Sequence, residues 1–291
     1  MENTESLRVA LLQCCSGKHA DENQSLVLTQ MTRAAEQGAR LMLLPENVMG
    51  MHPQGLQVLA GQSSAFLQAL QSACARLKLW LVAGTLPWLT RPDGAEISEG
   101  RVRAACFVID DQGQIVARYD KIHMFDVQVA DTQGAYRESD RMEPGDQVVL
   151  VDTPWGRLGL TICYDLRFAE LFSALMQAGA DFIAVPSAFT QITGAAHWST
   201  LLRARAIENQ VYIWAPGQCG SPYPGRFTWG HSMAVDPWGR VIAQAGDEPI
   251  LLVVEADLNE LGRCRRSMPM SQQRRLPLQV STCAQFAKKE A

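Results

Sequence analysis

The chain lacks the features that mark secreted, membrane-spanning and zinc-binding proteins. Its eight cysteines contain no Cys-x-x-Cys pair and its five histidines no His-Glu-x-x-His motif, so neither a disulfide framework nor a metal site is predicted. No basic segment leads into an apolar one at the N-terminus, and no apolar run reaches about 18 residues. We therefore expect reduced thiols, a cytoplasmic protein and no membrane partner.

The chain also lacks a strong net charge, which argues against nucleic acid as a partner. It has 26 basic and 30 acidic side chains and a formal charge of −4, so a polyanion would gain little attraction. The exception is a basic C-terminal tail from about residue 262. We expect this tail to be solvated or to face a second subunit; its arginines are Arg263, Arg265, Arg266, Arg274 and Arg275.

The pattern of apolar residues predicts an α/β fold. Hairpin turns at 111–113 and 153–156 are mixed with β-α-β units, which indicates a four-layer α-β-β-α sandwich of two mixed sheets with outer helices. No linker or repeat is visible, so we expect a single domain over 1–291 with a long polar loop at 122–146. Strands are predicted at 8–13, 41–45, 79–86, 104–110, 114–119, 148–152, 157–162, 181–186, 211–215, 230–235, 240–245 and 250–255, and helices at about 22–38, 62–77, 167–178 and 195–209.

Three residues with chemically useful side chains each follow the end of a predicted strand. Glu46 follows the strand at 41–45, Lys121 comes shortly after the strand that ends at 119, and Cys163 follows the strand at 157–162. Open α/β sheets tend to place their sites at the carboxyl ends of strands. A base, an acid and a nucleophile in equivalent positions therefore point to an enzyme.

The chemistry of these residues suits hydrolysis of an unreactive amide or nitrile through a thioester. A free thiol needs a neighbouring base to act as a nucleophile near neutral pH, and Glu46 has apolar residues behind it that would strengthen it as a base. Cys163 is expected to precede a helix capped by Asp165, with N–H groups facing a developing oxyanion. Taken singly, the three residues also fit a buried cysteine, a surface carboxylate and a solvated lysine.

Three blocks of sequence resemble the signature blocks of the nitrilase, or carbon–nitrogen hydrolase, superfamily. They are Leu-Pro-Glu-Asn at 44–47, Tyr-Asp-Lys-Ile-His-Met-Phe-Asp at 119–126 and Ile-Cys-Tyr-Asp-Leu-Arg-Phe-Ala-Glu at 162–170. They occur in the family's order, and the resemblance runs from about residue 8 to 276. It implies an α-β-β-α sandwich, a homodimer and an enzyme that uses no cofactor.

The resemblance also implies a role for each matching residue. Glu46 would be the general base, Lys121 would stabilise the tetrahedral intermediate, and Cys163 would be the nucleophile. The backbone N–H of Tyr164 would be the second oxyanion donor. Glu138 matches an additional glutamate of the family that helps to orient the substrate and the lysine.

Further blocks at 186–198, 201–210 and 229–239 resemble the Nit-type amidases of this superfamily. The residues in these blocks resemble the branch that acts on deaminated glutathione more than the omega-amidases that act on 2-oxoglutaramate. Both branches would cleave the omega-amide of a 2-oxo acid. Ser199 replaces the usual glutamate after His-Trp, and Gln272-Gln273 replaces an expected histidine. These departures leave the catalytic residues untouched and the substrate preference open.

A 2-oxo acid amide is a small molecule with a carboxylate, and the pocket should supply a cation to bind it. Arginine binds a carboxylate through two parallel hydrogen bonds, and Arg167 lies four residues after the nucleophile. We expect Arg167 to bind the substrate carboxylate, with Phe189 and Thr190 lining the same pocket. The alternative is an ion pair between Arg167 and Glu170 on a helix surface.

Three other interpretations compete with this one. The segment Gly-His-Ser-Met-Ala at 230–234 resembles the nucleophile elbow of α/β-hydrolases, but a strand follows it and no histidine follows His231. Cys163 could instead pair with His197 or His231, because imidazole is the commoner thiol activator. The chain could also be a catalytically silent scaffold, since fold alone does not prove activity.

Overall fold

The computed structural model describes residues 6–51, 55–97, 100–129, 134–276 and 283–286. The strands are β1 Ser6–Gln13, β2 Leu41–Leu43, β3 Trp80–Val82, β4 Leu86–Trp88, β5 Arg103–Ile109, β6 Ile115–Asp120, β7 Asp126–Gln128, β8 Ala135–Arg137, β9 Val148–Thr153, β10 Gly156–Leu160, β11 Phe182–Ala184, β12 Tyr212–Ala215, β13 Cys219–Tyr223, β14 Arg226–Trp229, β15 Met233–Val235, β16 Val241–Gln244, β17 Ile250–Asp257 and β18 Cys283–Phe286. The α-helices are α1 Ala20–Glu36, α2 Leu56–Leu77, α3 Ala169–Gln177, α4 Gln191–Asn209, α5 Asn259–Ser267 and α6 Met270–Gln273.

Two mixed sheets of seven strands each form the centre of the molecule. The first sheet has the order β17-β1-β2-β3-β5-β4, with β6 also paired to β5, and the second has the order β16-β15-β12-β11-β10-β9-β18. The strands β1, β2 and β3 are parallel, as are β10, β11 and β12, whereas β17 and β9 join these sets in antiparallel fashion. The carboxyl ends of β2, β6 and β10 lead into the residues discussed below.

The layers follow from the alternation of side chains along buried strands. Val9 and Leu11 of β1 pack in a core shared with the second sheet, whereas Ala10 and Leu12 pack in a core shared with α1 and α2. Because both faces of the sheet are buried, β1 can be apolar throughout this stretch. On the second sheet, α3 contributes Phe172 to the larger core and α4 contributes Leu202. The predicted four-layer α-β-β-α sandwich is confirmed.

The predicted strand at 79–86 is two strands, β3 and β4, separated by a turn at Gly84. This glycine has a φ of +64°, and a Cβ atom on it would lie 2.1 Å from the carbonyl oxygen of Pro45. Only glycine tolerates both the left-handed conformation and this close approach. The continuous apolar pattern of the sequence concealed the break, since apolarity reports burial and not backbone direction.

The polar loop predicted at 122–146 contains regular structure. The short strands β7 and β8 pair within it as an antiparallel hairpin, and a 3-10 turn covers Glu138–Asp140. Two further elements were not predicted, the hairpin β13–β14 and the edge strand β18. All of these strands are short and lack a clear alternation of apolar residues, which is the main sequence signal for a strand.

Two of the basic residues near the C-terminus pair with carboxylates. Arg263 pairs with Asp257 and Glu260, and Arg265 Nη1 lies 2.7 Å from an oxygen of Asp181. The Arg263 side chain is 52% exposed, in keeping with the predicted solvated position. The parts of the predicted tail at 277–282 and 287–291 lie outside the described residues.

Candidate active site

Three of the residues predicted from the sequence come together at one cavity between the strand ends. The Lys121 Nζ atom lies 2.8 Å from Glu46 Oε1, and Cys163 lines the same cavity of about 390 Å³. All three side chains are buried, with residue exposures of 4% for Glu46, 2% for Lys121 and 7% for Cys163. A carboxylate, an ammonium and a thiol that share one enclosed space can act on one bound group.

Glu46 is held by the backbone on both sides of it. The strand β2 ends at Leu43, and Asn47 adopts a left-handed conformation with φ of 56°. The N–H of Asn47 donates to Thr85 Oγ1 at 2.7 Å, and Gln218 Nε2 donates to the Glu46 carbonyl at 3.0 Å. Side chains of two other segments therefore hold the backbone around Glu46, and Lys121 holds its carboxylate.

Lys121 lies between two carboxylates. Its Nζ atom donates to both oxygens of Glu138, at 2.8 and 2.9 Å, in addition to its bond with Glu46. Glu138 is positioned in turn by the N–H of Phe125, which donates to Oε2 at 2.6 Å. The additional glutamate expected from the sequence is thus directly bonded to the lysine.

Burial and charge set the protonation of this cluster. Burial lowers the pKa of Lys121, but the charges of Glu138 and Glu46 outweigh it and hold that pKa well above its usual value. Burial raises the pKa of Glu138, and the charge of Lys121 opposes this while that of Glu46 adds to it. The ammonium therefore stays charged at neutral pH, where it can stabilise negative charge.

The thiol of Cys163 is neutral at rest. Burial raises its pKa, the charge of Glu46 raises it further, and the charge of Lys121 lowers it. The backbone N–H of Ala188 faces the sulfur and also lowers the pKa. A thiol in this state needs a base in order to become a thiolate.

Cys163 sits in a strained turn between β10 and α3. Its φ is 48°, in the left-handed region that non-glycine residues rarely adopt, and its N–H donates to the Pro186 carbonyl at 2.9 Å. It begins a 3-10 turn that covers Cys163–Arg167. The helix predicted at about 167–178 is found as α3, which begins at Ala169, directly after this turn.

Hydrogen bonds to the side chain of Asp165 hold this turn in place. Its fully buried carboxylate accepts the N–H of Ile162 at 2.8 Å and the hydroxyl of Tyr119 at 2.7 Å, and it also bonds the backbone N–H and Nδ1 of His123. The predicted helix cap is wrong, because the N-cap residue of α3 is Phe168; the Asp165 carboxylate instead accepts the N–H of the residue before the thiol. The network links the turn of Cys163 to the strand that precedes Lys121.

Tyr164 and Arg167 lie on the same turn as the thiol and among aromatic rings. The Tyr164 ring packs against Phe125 with centroids 5.1 Å apart, and the Arg167 guanidinium carbon lies 4.5 Å from the Phe189 ring centre and 5.0 Å from that of Tyr164. Burial lowers the pKa of Arg167. Among the described residues Arg167 has no carboxylate ion pair, so the alternative pairing with Glu170 is not found.

The remaining predicted pocket residues also line the cavity. Phe189 and Thr190 both contribute to its wall, and Thr190 is the N-cap residue of α4, where its side chain accepts the N–H of Thr193. A buried arginine, Arg226 on β14, also lines the cavity. It was not predicted from the sequence as a site residue. No sequence signal marked it, because the hairpin that carries it was not predicted.

The rival arrangements do not assemble. Ser232 leads into the strand β15, and its Oγ accepts the N–H of Gly217 at 2.8 Å. Nδ1 of His231 lies 2.7 Å from the Trp229 carbonyl, and Nδ1 of His197 lies 3.4 Å from Arg167. Neither histidine hydrogen-bonds Cys163 in the described part of the chain.

Two features are absent from the described ranges, 6–51, 55–97, 100–129, 134–276 and 283–286. No group of three or more histidine, cysteine, aspartate or glutamate residues there is placed to hold a metal ion. No helix there combines the length and the apolar character needed to cross a membrane.

The sequence matches a known family over nearly its whole length. Residues 8–266 match the carbon-nitrogen hydrolase family, and the chain belongs to that family. It is therefore a hydrolase that acts on carbon–nitrogen bonds. The predicted membership of the nitrilase superfamily is confirmed.

Within this superfamily the chain resembles Nit-type amidases, as predicted. It is 42% identical over 274 residues to the deaminated glutathione amidase of Yersinia enterocolitica, with 93% of this chain and 94% of that protein covered. It is 34% identical over 278 residues to an omega-amidase of Homo sapiens, with 94% and 96% covered. The crystal structure of the C. elegans NitFhit protein is 34% identical and has a TM-score of 0.87, with 95% of this chain and 68% of that chain covered.

Proposed function

We propose that the chain is an amidase that hydrolyses the omega-amide bond of a 2-oxo acid through a thioester on Cys163. The proposed substrate is deaminated glutathione, which would give 2-oxoglutarate and cysteinylglycine. The similarity to the Yersinia enterocolitica deaminated glutathione amidase, at 42% identity over 274 residues, supports this substrate.

The observation that carries the proposal is the buried cluster around Lys121. Its Nζ atom lies 2.8 Å from both Glu46 and Glu138, and the cavity beside it also contains the Cys163 thiol. Such an arrangement supplies a base, a fixed positive charge and a nucleophile on buried side chains of one cavity. These are the three functions that acyl transfer from an unreactive amide requires.

In the first half of the reaction Glu46 accepts the proton of the Cys163 thiol, and the sulfur attacks the amide carbon. The carbonyl oxygen becomes an oxyanion, which Lys121 Nζ and the Tyr164 N–H stabilise. The carbon–nitrogen bond then breaks, and protonated Glu46 gives its proton to the leaving amine. Glu138 keeps the lysine in position through its two bonds.

In the second half the thioester is hydrolysed. Glu46, again a carboxylate, accepts a proton from water while the water oxygen attacks the thioester carbon. The same two donors hold the second oxyanion. Collapse breaks the carbon–sulfur bond, releases the 2-oxo acid, and returns the proton from Glu46 to the sulfur of Cys163.

Arg167 is proposed to bind the carboxylate next to the 2-oxo group. Its guanidinium is half-buried among aromatic rings and lacks a carboxylate partner in the described residues, so a substrate carboxylate would satisfy it. Phe189 and Thr190 are proposed to line the path of the 2-oxo acid chain. Arg167 thus supplies orientation, and the cluster around Lys121 supplies chemistry.

A second candidate substrate is 2-oxoglutaramate, whose leaving amine is ammonia. The 34% identity to the omega-amidase of Homo sapiens favours it. The test compares kcat/KM for 2-oxoglutarate release from deaminated glutathione and from 2-oxoglutaramate. We expect deaminated glutathione to be the better substrate; a larger value for 2-oxoglutaramate favours the second candidate. Release from neither amide would contradict the proposed amidase and favour a silent scaffold.

We further propose a cytoplasmic homodimer that needs no cofactor, in line with the sequence-based expectation for this superfamily. Each subunit has a mass of 32.1 kDa. Light scattering during size-exclusion chromatography should therefore give twice that mass. A mass equal to one subunit would contradict the dimer.

A further inference from the structure

Arg226, which was not predicted from the sequence, is a buried cation, and some of its N–H donors have no hydrogen-bond partner in the described residues. Its residue exposure is 7%, and its Nη2 atom donates to the Ala188 carbonyl at 3.0 Å. The other two nitrogens, Nε and Nη1, are buried and have no hydrogen-bond partner among the described residues. Buried polar groups are normally paired, so donors without a protein partner are candidates to bind a ligand.

Arg226 is one of the residues that line the cavity containing Cys163. The guanidinium carbon lies 5.0 Å from the centre of the Tyr136 ring, and Arg226 has no carboxylate ion pair within the described ranges. Stacking on a ring leaves the N–H groups in the guanidinium plane available to an anion. The ligand that fits this position is a carboxylate.

The position of Arg226 is fixed by the hairpin β13–β14. Thr228 of β14 bridges to Thr190, and the N–H of Trp229 donates to the Phe189 carbonyl at 3.0 Å. The hairpin is therefore joined to the segment that also contacts Arg167. Arg226 contacts Ala188 and Arg167 contacts Phe189, so the two cations meet neighbouring residues of one segment.

We propose that Arg226 forms a second anion subsite, which binds a carboxylate on the leaving amine of the substrate. This inference rests on the proposed function and names a determinant of its specificity. Deaminated glutathione has two carboxylates, one beside the 2-oxo group and one at the end of cysteinylglycine, whereas 2-oxoglutaramate has only the first. Arg167 and Arg226 line one cavity and have no carboxylate partner in the described part of the chain, which matches a substrate with two carboxylates.

The test is a cycle of two enzymes and two substrates. The enzymes are the wild type and Arg226→Gln; the substrates are deaminated glutathione and its analogue with the terminal carboxylate converted to a carboxamide. We expect the wild type to prefer the carboxylate by about 10- to 100-fold in kcat/KM, the range for hydrogen bonds to a charged group. In Arg226→Gln the preference should fall below about threefold.

The cycle separates a binding role from a structural one. If Arg226→Gln only disturbed the Ala188 segment, both substrates would lose rate equally and the wild-type preference would persist, which would overturn the inference. Arg137, an exposed arginine that lines the same cavity, provides the matched control. Arg137→Gln removes the same charge and should keep most of the preference; equal loss in both variants would assign the effect to long-range charge and overturn the subsite.

Failure of the proposed function would look different. A wild-type enzyme that hydrolyses neither substrate would contradict the amidase itself and the subsite with it. A wild-type enzyme that hydrolyses both equally well would leave the amidase intact and contradict the subsite alone.

Discussion

At the scale of single residues, Cys163 depends on its neighbours for reactivity. Burial raises the pKa of its thiol, so that almost no thiolate exists at neutral pH without a base. The same burial strengthens the electrostatic interactions of the Lys121 ammonium, because a low-dielectric environment screens its charge poorly. In the proposed mechanism, the residues around the thiol suppress its ground-state reactivity and favour a transition state that carries negative charge on oxygen.

The role of Arg167 can be tested directly. Replacement by alanine should raise KM for 2-oxo acid amides by about 10- to 100-fold with a smaller effect on kcat, because a charge-assisted bond to the substrate is lost. Steady-state kinetics on deaminated glutathione measures the change. Arg167→Lys keeps the charge and should retain part of the affinity. An unchanged KM in Arg167→Ala would show that the assignment is wrong.

At the scale of elements, the site depends on turns that follow strand ends. Glu46, Lys121 and Cys163 all lie just beyond β2, β6 and β10, and each turn is fixed by backbone bonds to a neighbouring segment. The sheets therefore set the approximate positions, and the turns set the direction of each side chain. Predictions at this scale concern the turns.

The turn at Gly84 should tolerate no side chain. Gly84→Ala places a Cβ atom 2.1 Å from the Pro45 carbonyl oxygen at a φ of +64°, so we expect a loss of more than about 3 kcal/mol in the free energy of unfolding. Gly61 in α2 is the control, since a Cβ there meets nothing within 4 Å. Gly61→Ala should stabilise the protein by about 0.5–1 kcal/mol. Urea denaturation that gives equal effects for both would contradict the structure of the turn.

The carboxylate of Glu143 should make stability depend on pH. Hydrogen bonds from Arg91 and Arg103 lower its pKa to about 2 against the effect of burial, compared with about 4.3 in an unfolded chain. The contribution of Glu143 is therefore complete above about pH 4.3 and is lost as the pH falls toward 2. Glu143→Gln should be less stable than the wild type at pH 7, with a difference that shrinks between pH 5 and pH 3.

Urea denaturation of both proteins at pH 7, 5, 4 and 3 measures this difference. Protonation of Glu143 is the change that removes these ion pairs as the pH falls. A difference between the two proteins that stays constant with pH, or grows in acid, would contradict the lowered pKa.

Much of this architecture could be predicted from the sequence, and the limits have physical causes. The long buried strands and helices carry strong apolar patterns, so β1, α1 and the hairpin β5–β6 were anticipated within a few residues. The turn of Cys163 and the break at Gly84 depend on backbone conformation, which apolar patterns do not report. Arg226 acts through contacts with residues distant in sequence, and such contacts exist only once the chain has folded.

At the scale of the whole molecule, two sheets lie between two layers of helices, and the candidate active site lies at the strand ends. The larger core contains side chains from both sheets, and a second core joins the first sheet to α1 and α2. This packing supports the prediction that 1–291 form a single carbon–nitrogen hydrolase domain. The sandwich brings together residues from three distant parts of the sequence, and the account rests on their acting as one catalytic unit.

The most direct test of that claim is peptide mapping by mass spectrometry of enzyme quenched in acid during turnover of deaminated glutathione. The wild type should carry a 2-oxoglutaryl group on Cys163 and on no other cysteine. In Glu46→Gln the rate of acylation should fall at least about 100-fold, because the base that accepts the thiol proton is gone. Acylation of Glu46→Gln at the wild-type rate, or an acyl group on another residue, would contradict the account.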